Sequence, residues 1–383
     1  VGLQLMLGTW DAYWRHDTLG WSITAAVLVG LLVAATSACR TPSAAPTRHT
    51  PRIWVLGPAT SLVVMVLANS GFASSQSDVR LAVAGPVAAA GLLMTAATIP
   101  IAQRHSGVRH AMSSPTTGVA IAALPAVAVA GVYWATGPIV LALLVGAQLA
   151  TFTAVARAFG PAIVRDGNRP APYRTAVSAA FVGLGTILPL LDFQLDYDIP
   201  LGFPNELVIV ATAGLYGVGA LRRRMAPSTA PTPPGPTGSI VGRPTAALLI
   251  VESTVVLLGT AFAVGRAVRT ETLPDLASDA QQLTLMSWNL HYGVSPHADV
   301  DLELIARTIE QQNPSIVILQ EVSRGWVLGG GTDMATWLAQ RLEMNVAFAP
   351  AADRQFGNAI LTNLPAANIA VVELPYGNGP VSY

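Results

Sequence analysis

Two polar residues that close apolar runs carry the clearest chemistry this chain offers. Asn289 ends the alternating run 283–288, and Glu321 ends the run 315–320 with its apolar centre at 316–319. A helix-patterned stretch separates them, so an amide and a carboxylate emerge from the ends of two strands in one strand-helix-strand unit. Oxygen donors placed there can hold a hard divalent ion. Mg²⁺ suits such a site because it takes few protein ligands and leaves positions for water and phosphate. A strand-end Glu also serves simply as a solvated carboxylate, and the residues alone leave both readings open. Arg354 can neutralise a phosphate oxygen, or it can form a surface ion pair with Asp353 or Glu373.

The elements that must position these residues are legible in the periodicity. Asp299, Asp301 and Glu303 suit a helix N-terminus, and Leu302, Ile305 and Ile309 share one face before Pro314 stops the helix. A second helix has Asp333 near its start and Met334, Trp337, Leu338 and Leu342 on one side. Further strands are expected over 345–349, 358–362 and 368–374. Residues 283–383 therefore read as a water-facing α/β domain.

Three segments within that domain occur in order over about 75 residues: Ser287-Trp288-Asn289, Leu319-Gln320-Glu321-Val322 and Phe356-Gly357-Asn358-Ala359-Ile360-Leu361. Together they resemble the endonuclease/exonuclease/phosphatase superfamily. The resemblance implies a two-sheet α/β sandwich of which this chain holds the first half. It implies Mg²⁺ or Mn²⁺ held by Asn289 and Glu321, with Asn358 bordering the same site and His291 in the adjoining turn. Leu290-His291-Tyr292-Gly293 replaces the Asp-containing turn common among DNA-repair nucleases, and Ser323 stands where some nucleases carry Arg. Both departures speak against DNA cleavage. The second half of such domains supplies an Asp-x-Asn pair and a closing Asp-His pair with the general base. No His follows His297, so that base is expected beyond Tyr383, and this chain alone is expected to be inactive. A membrane region followed by this domain is also similar to the C-terminal region of yeast cell-wall-biogenesis proteins and of an animal protein that interacts with the GPI-anchor remodelling factor.

The first two-thirds of the chain demand a different solvent. Hydrophobic residues make up 52% and charged residues only 11%, which does not describe an ordinary soluble protein. Apolar stretches long enough for a hydrocarbon core, roughly 17–25 residues each, suggest eight spans, near 21–38, 53–73, 81–102, 118–134, 138–154, 175–191, 207–221 and 245–264. Arg placement alternates between the connections, as it does when cytoplasmic loops collect positive charge. Arg40, Arg48 and Arg52, then Arg104 and Arg109, then Arg157 to Arg174, then Arg222 to Arg243 mark one side; the other holds only Arg15 and Arg80 before the acidic loop Asp192 to Glu206. An even span count puts 283–383 outside the cytoplasm, beyond a membrane domain at 1–264 and a linker at 265–282. The Pro-rich stretch 226–244 reads as a cytoplasmic linker.

Glu252, inside the eighth span, is either an ion or headgroup contact or a structural partner to a nearby polar group. The single Cys39 excludes an intramolecular disulfide. The 21 basic residues, all Arg, balance 21 acids, so no global field recruits nucleic acid. From 283 onward four Arg face nine acids, the wrong sign for a nucleic-acid groove. Membrane lipids and a lipid-linked or small phosphodiester are the expected partners. The competing expectation makes the membrane region the working part, as a scaffold, lipid-handling or transport module with a degenerate external domain.

Overall fold

The computed structural model describes residues 4–5, 7, 9–40, 52–104, 115–159, 172–199, 201–221, 254, 257–261, 283–297, 299–366 and 368–372. The apolar runs form helices: α1 (Thr18–Arg40), α2 (Leu56–Leu62), α3 (Ser70–Ser77), α4 (Leu81–Arg104), α5 (Pro115–Trp134), α6 (Ile139–Phe159), α7 (Pro172–Asp198) and α8 (Glu206–Ala220). Helix α5 packs on α6 and α8, α2 on α7, and α4 on α6. Small residues permit the crossings. A Cβ at Gly217 of α8, for example, would lie 2.1 Å from the Ala122 carbonyl oxygen of α5.

Two helices, Thr116–Trp134 and Ile139–Ala158, are long and apolar enough to cross a membrane, and the bent pair Ile53–Leu67 with Ser70–Ser77 makes a third if taken as one span. Four more apolar helical stretches are shorter, and of the expected span 245–264 only residues 254 and 257–261 are described. The expected span 53–73 is not one straight helix. A π-helical turn, Val63–Leu67, follows α2, and the chain bends by 56° before α3. Asn69 makes the bend by capping the new helix, its Oδ1 accepting from Phe72 N at 2.9 Å. Gln148 of α6 helps satisfy the backbone there, donating to the Leu67 carbonyl at 2.8 Å and to that of Ala88 at 2.9 Å.

The α/β unit has one sheet in the order β1-β2-β4-β3. Strand β1 (Leu285–Asn289) runs parallel to β2 (Ile316–Ser323), while β4 (Phe356–Thr362) pairs antiparallel with both β2 and β3 (Asn345–Ala351). Helix α9 (Leu302–Gln312) makes the crossover between the parallel strands, and α10 (Met334–Leu342) precedes β3. Asp301 caps α9 and Asp333 caps α10, each side chain accepting from a first-turn N–H. Both helices bury their apolar faces with Val317, Leu319, Val322, Ala359 and Leu361. Full burial of Leu302, Ile309, Leu319 and Leu338 stabilises the unit by roughly 2 kcal/mol each.

The opposite face of the sheet lies open, with Leu285 at 57% and Ile360 at 44% exposure. Among the described residues there is one sheet, so a two-layer sandwich is not seen. Residues 368–372 are not in a strand, although that stretch was expected to begin one, and 373–374 fall outside the described residues. Nothing in this region pairs with a neighbouring strand among the described residues, so its alternating pattern has no ladder to join.

Candidate functional site

The sheet aligns three of the expected site residues on adjacent strands. Asn289 is the register partner of Gln320. Between β2 and β4 the register passes from Leu319↔Ala359 to Val322↔Gly357, so Gln320 and Glu321 together oppose Asn358. This is a β-bulge, a device that re-aims a side chain beside a site. Its extra residue is held in the left-handed region, with Glu321 at φ +55°. One Glu321 oxygen, Oε2, is enclosed and has no hydrogen-bond partner among the described residues.

The turns at this end of the sheet share the same unusual backbone. His291 (φ +47°) and Tyr292 (φ +43°) follow β1, and Asp353 (φ +57°) and Arg354 (φ +61°) precede β4. With Glu321 they make five of the ten non-glycine residues at positive φ among those described. Non-glycine residues adopt that region at a cost of order 1–3 kcal/mol each, and such positions concentrate at functional sites. Asn289 helps build the first turn: its Oδ1 accepts from His291 N at 2.8 Å, while Leu290 N donates to the Gln320 carbonyl at 2.9 Å.

The same turns are seated on the helical bundle. Tyr292 stacks on His291 at 4.5 Å and lies 6.2 Å from Phe356, which is 5.9 Å from Trp326. Trp326 and Phe356 share one apolar cluster with Val66, Leu67 and Phe72 of the bundle, and Tyr292, Val327 and Leu328 pack against it. Helix α3, buried at all eight positions, supplies the polar contacts. Ser75 Oγ donates to the Arg354 carbonyl, and Gln76 Nε2 to that of Asp353. Asn69 Nδ2 donates to the Gly325 carbonyl at 2.6 Å. Gly325 has φ +93°, and a Cβ there would lie 2.3 Å from Phe72 N, so the two backbones meet directly.

Asn289, Glu321 and Asn358 thus gather at one sheet end, and His291 sits exposed in the turn beyond Asn289. Arg354 is partly enclosed, with its Nε lacking a hydrogen-bond partner among the described residues; Glu373, one of its expected partners, lies outside them. Glu252 lies outside them as well. Among the described residues no three His, Cys, Asp or Glu side chains converge on a metal position. An ion here would rest on the Glu321 carboxylate with the amide oxygens of Asn289 and Asn358. One carboxylate with neutral oxygens fits Mg²⁺ or Mn²⁺, ions that keep several waters.

Three features escape the sequence reading. Arg324 forms a bidentate pair with the fully buried Asp333, at 3.1 and 3.2 Å. Gln355, 2% exposed, accepts through its carbonyl from Arg324 N at 2.7 Å. The Ser-rich α3 contacts the site turns from nearly 280 residues upstream, a separation no local pattern reveals. No family model, curated protein or solved structure matches the chain.

Proposed function

We propose that this chain is the membrane-embedded part of a metal-dependent phosphoesterase-like protein that acts on a lipid-linked phosphodiester outside the cytoplasm. The observation that carries this reading is the seating of the site: the turns bearing His291, Tyr292, Trp326 and Arg354 pack on one end of an apolar helical bundle. A substrate reaching Glu321 from that side comes from a bilayer surface, which favours a lipid headgroup over a freely diffusing nucleic acid. An Mg²⁺ or Mn²⁺ ion bound there would polarise a phosphoryl oxygen. This chain's own part is to hold the ion through Glu321, Asn289 and Asn358, with Arg354 beside the phosphate.

In this reading the bundle crosses the bilayer eight times, and the placement of its Arg residues is in keeping with that count. Arg52 Nη2 donates to the Leu221 carbonyl at 3.2 Å and Arg157 Nε to that of Ala220 at 2.8 Å, so these two Arg meet at the C-terminal end of α8, remote from the α/β unit. At the near end stand Asn69, Phe72 and Tyr133. The scaffold or transport alternative draws on the broken helix α2–α3. The α3 polar groups Ser75 and Gln76, however, are bonded to the α/β unit, which suits a docking role.

The test is Mn²⁺ binding to the full chain in detergent, followed by electron paramagnetic resonance, together with release of a water-soluble phosphorylated headgroup from membranes carrying the protein. Glu321→Gln is expected to weaken Mn²⁺ binding by about tenfold or more and, in the complete protein, to lower turnover by several orders of magnitude. Equal Mn²⁺ binding in parent and variant would overturn the metal assignment.

A further inference from the structure

We propose a second site: the cleft between the α3–α4 turn and the α10/β3 side of the α/β unit binds the phosphate-bearing headgroup of a membrane phospholipid, clamping the unit to the bilayer surface. This rests on the reading of α4 as embedded in lipid. The cleft encloses about 550 Å³, a volume in the range of small-ligand sites. One wall is the turn 78–82 at the start of α4; the other comes from Arg324, α10 and β3.

An arginine stands on each wall, Arg80 from the bundle and Arg324 from the α/β unit. Arg324 is fixed by Asp333, by Ser74 Oγ at 3.3 Å and by the Phe348 ring at 4.8 Å. Arg80 and the Nη1 side of the Arg324 guanidinium, whose Nε and Nη2 are held by Asp333 and Ser74, stand on two walls of one cleft and match the oxygens of a phosphate. Asp78 and Gln340, also lining it, can take the hydroxyl or amine donors of a headgroup.

The apolar part of the lining points to an amphipathic ligand. Leu81, Val346 and Phe348 border the cleft, and α4 continues from it with Val83 52% and Met94 50% exposed. Acyl chains of a lipid seated in the cleft can lie along that flank while its phosphate stays between the arginines.

The full chain, purified in a phosphate-free detergent, is titrated with dihexanoyl phosphatidylglycerol, with dihexanoylglycerol and inorganic phosphate in parallel, and its thermal melting is followed. Saturable stabilisation by phosphatidylglycerol is expected, with an apparent affinity about tenfold weaker in Arg80→Gln and partly restored in Arg80→Lys. Ala82→Phe, which fills the cleft without touching charge, should weaken it as well. Inorganic phosphate and the phosphate-free glyceride should have little effect. An equal response to inorganic phosphate or to the glyceride, or a phosphatidylglycerol response unchanged in both Arg80→Gln and Ala82→Phe, overturns the proposal. Fractionation of the same cells reports separately whether the chain resides in membranes, so failure of that reading is distinguishable from failure of the cleft.

Discussion

Glu321 and Asp333 are two enclosed carboxylates with opposite surroundings, and their substitutions should have opposite effects on stability. Asp333 is fully buried, accepts both hydrogen bonds of the Arg324 fork and caps α10. Arg324→Ala strands that charge and should destabilise the α/β unit by about 3–5 kcal/mol, measured by denaturant unfolding. Glu321 has an enclosed oxygen without a partner among the described residues and a backbone at φ +55°. Glu321→Gln should therefore leave melting in chelator unchanged or slightly raised, because it removes a desolvated charge and breaks no pair. A large loss of stability in chelator would mean that the carboxylate is structural. The polar types at 289, 321 and 358 were legible in the sequence because each closes or opens an apolar run. The bulge was not. The sequence reading ends this strand at Glu321, whereas β2 continues to Ser323, and the extra residue shows only once Ala359 and Gly357 are paired across from it.

At the scale of elements, helices α9 and α10 were readable because their apolar residues recur at helical spacing behind an Asp cap. What joins them was not readable, since it depends on their packing. Arg341 of α10 bonds both Glu303 and Glu310 of α9. The Arg341 hydrogen bonds first, and that of Arg307 second, hold the Glu303 carboxyl below its usual value of 4.5, although burial opposes them. A carboxyl whose folded value is depressed stabilises the fold above the unfolded value and loses that contribution as pH falls through the folded one. Glu303→Gln should accordingly flatten the stability profile below about pH 4.5 and have its full destabilising effect near neutrality, as pH-dependent melting can show. Solvent screening keeps the effect modest, since Glu303 is about one-third exposed. Helix α3 escaped detection for a related reason. The run 53–73 meets the criterion for a span, and only the cap at Asn69 and the contacts of Ser75 and Gln76 reveal a separate docking helix. Gly325→Val sets a side chain against Phe72 N at a backbone angle valine resists. It should loosen the turns at 323–332 and 353–355, seen as faster amide exchange there with the β2 core still protected.

For the whole molecule, the contacts at the chain's N-terminal segment turn the span count into a question of parity. Trp10 packs edge-on against Trp337 at 5.7 Å, Asp333 N donates to Thr9 Oγ1, and Val300 N donates to the Trp14 carbonyl. The segment before α1 and the α/β unit therefore lie at the same end of the bundle. From there the apolar helices α1, α2, α4, α5, α6, α7 and α8 follow in order, and Leu221, after the last of them, stands at the opposite end beside Arg52. If each crosses the bilayer, the count to Leu221 is odd, and the stretch 222–282 has to cross once more to bring β1 back. A crossing at 245–264, as expected from the sequence, would satisfy that parity and would set the Pro-rich stretch 226–244 on the Arg side. The single Cys39 makes the test direct: replaced by Ser, it leaves a background without thiols. Cysteines introduced at Tyr13, which is 80% exposed, and at the exposed His297 should then react with a membrane-impermeant maleimide on intact cells, whereas one at Ser239 should react only after lysis. Labelling of all three alike would remove the extra crossing and with it the external placement of Glu321. Labelling of Tyr13 and His297 on different sides would contradict the contacts of Thr9, Trp10 and Trp14 with the α/β unit.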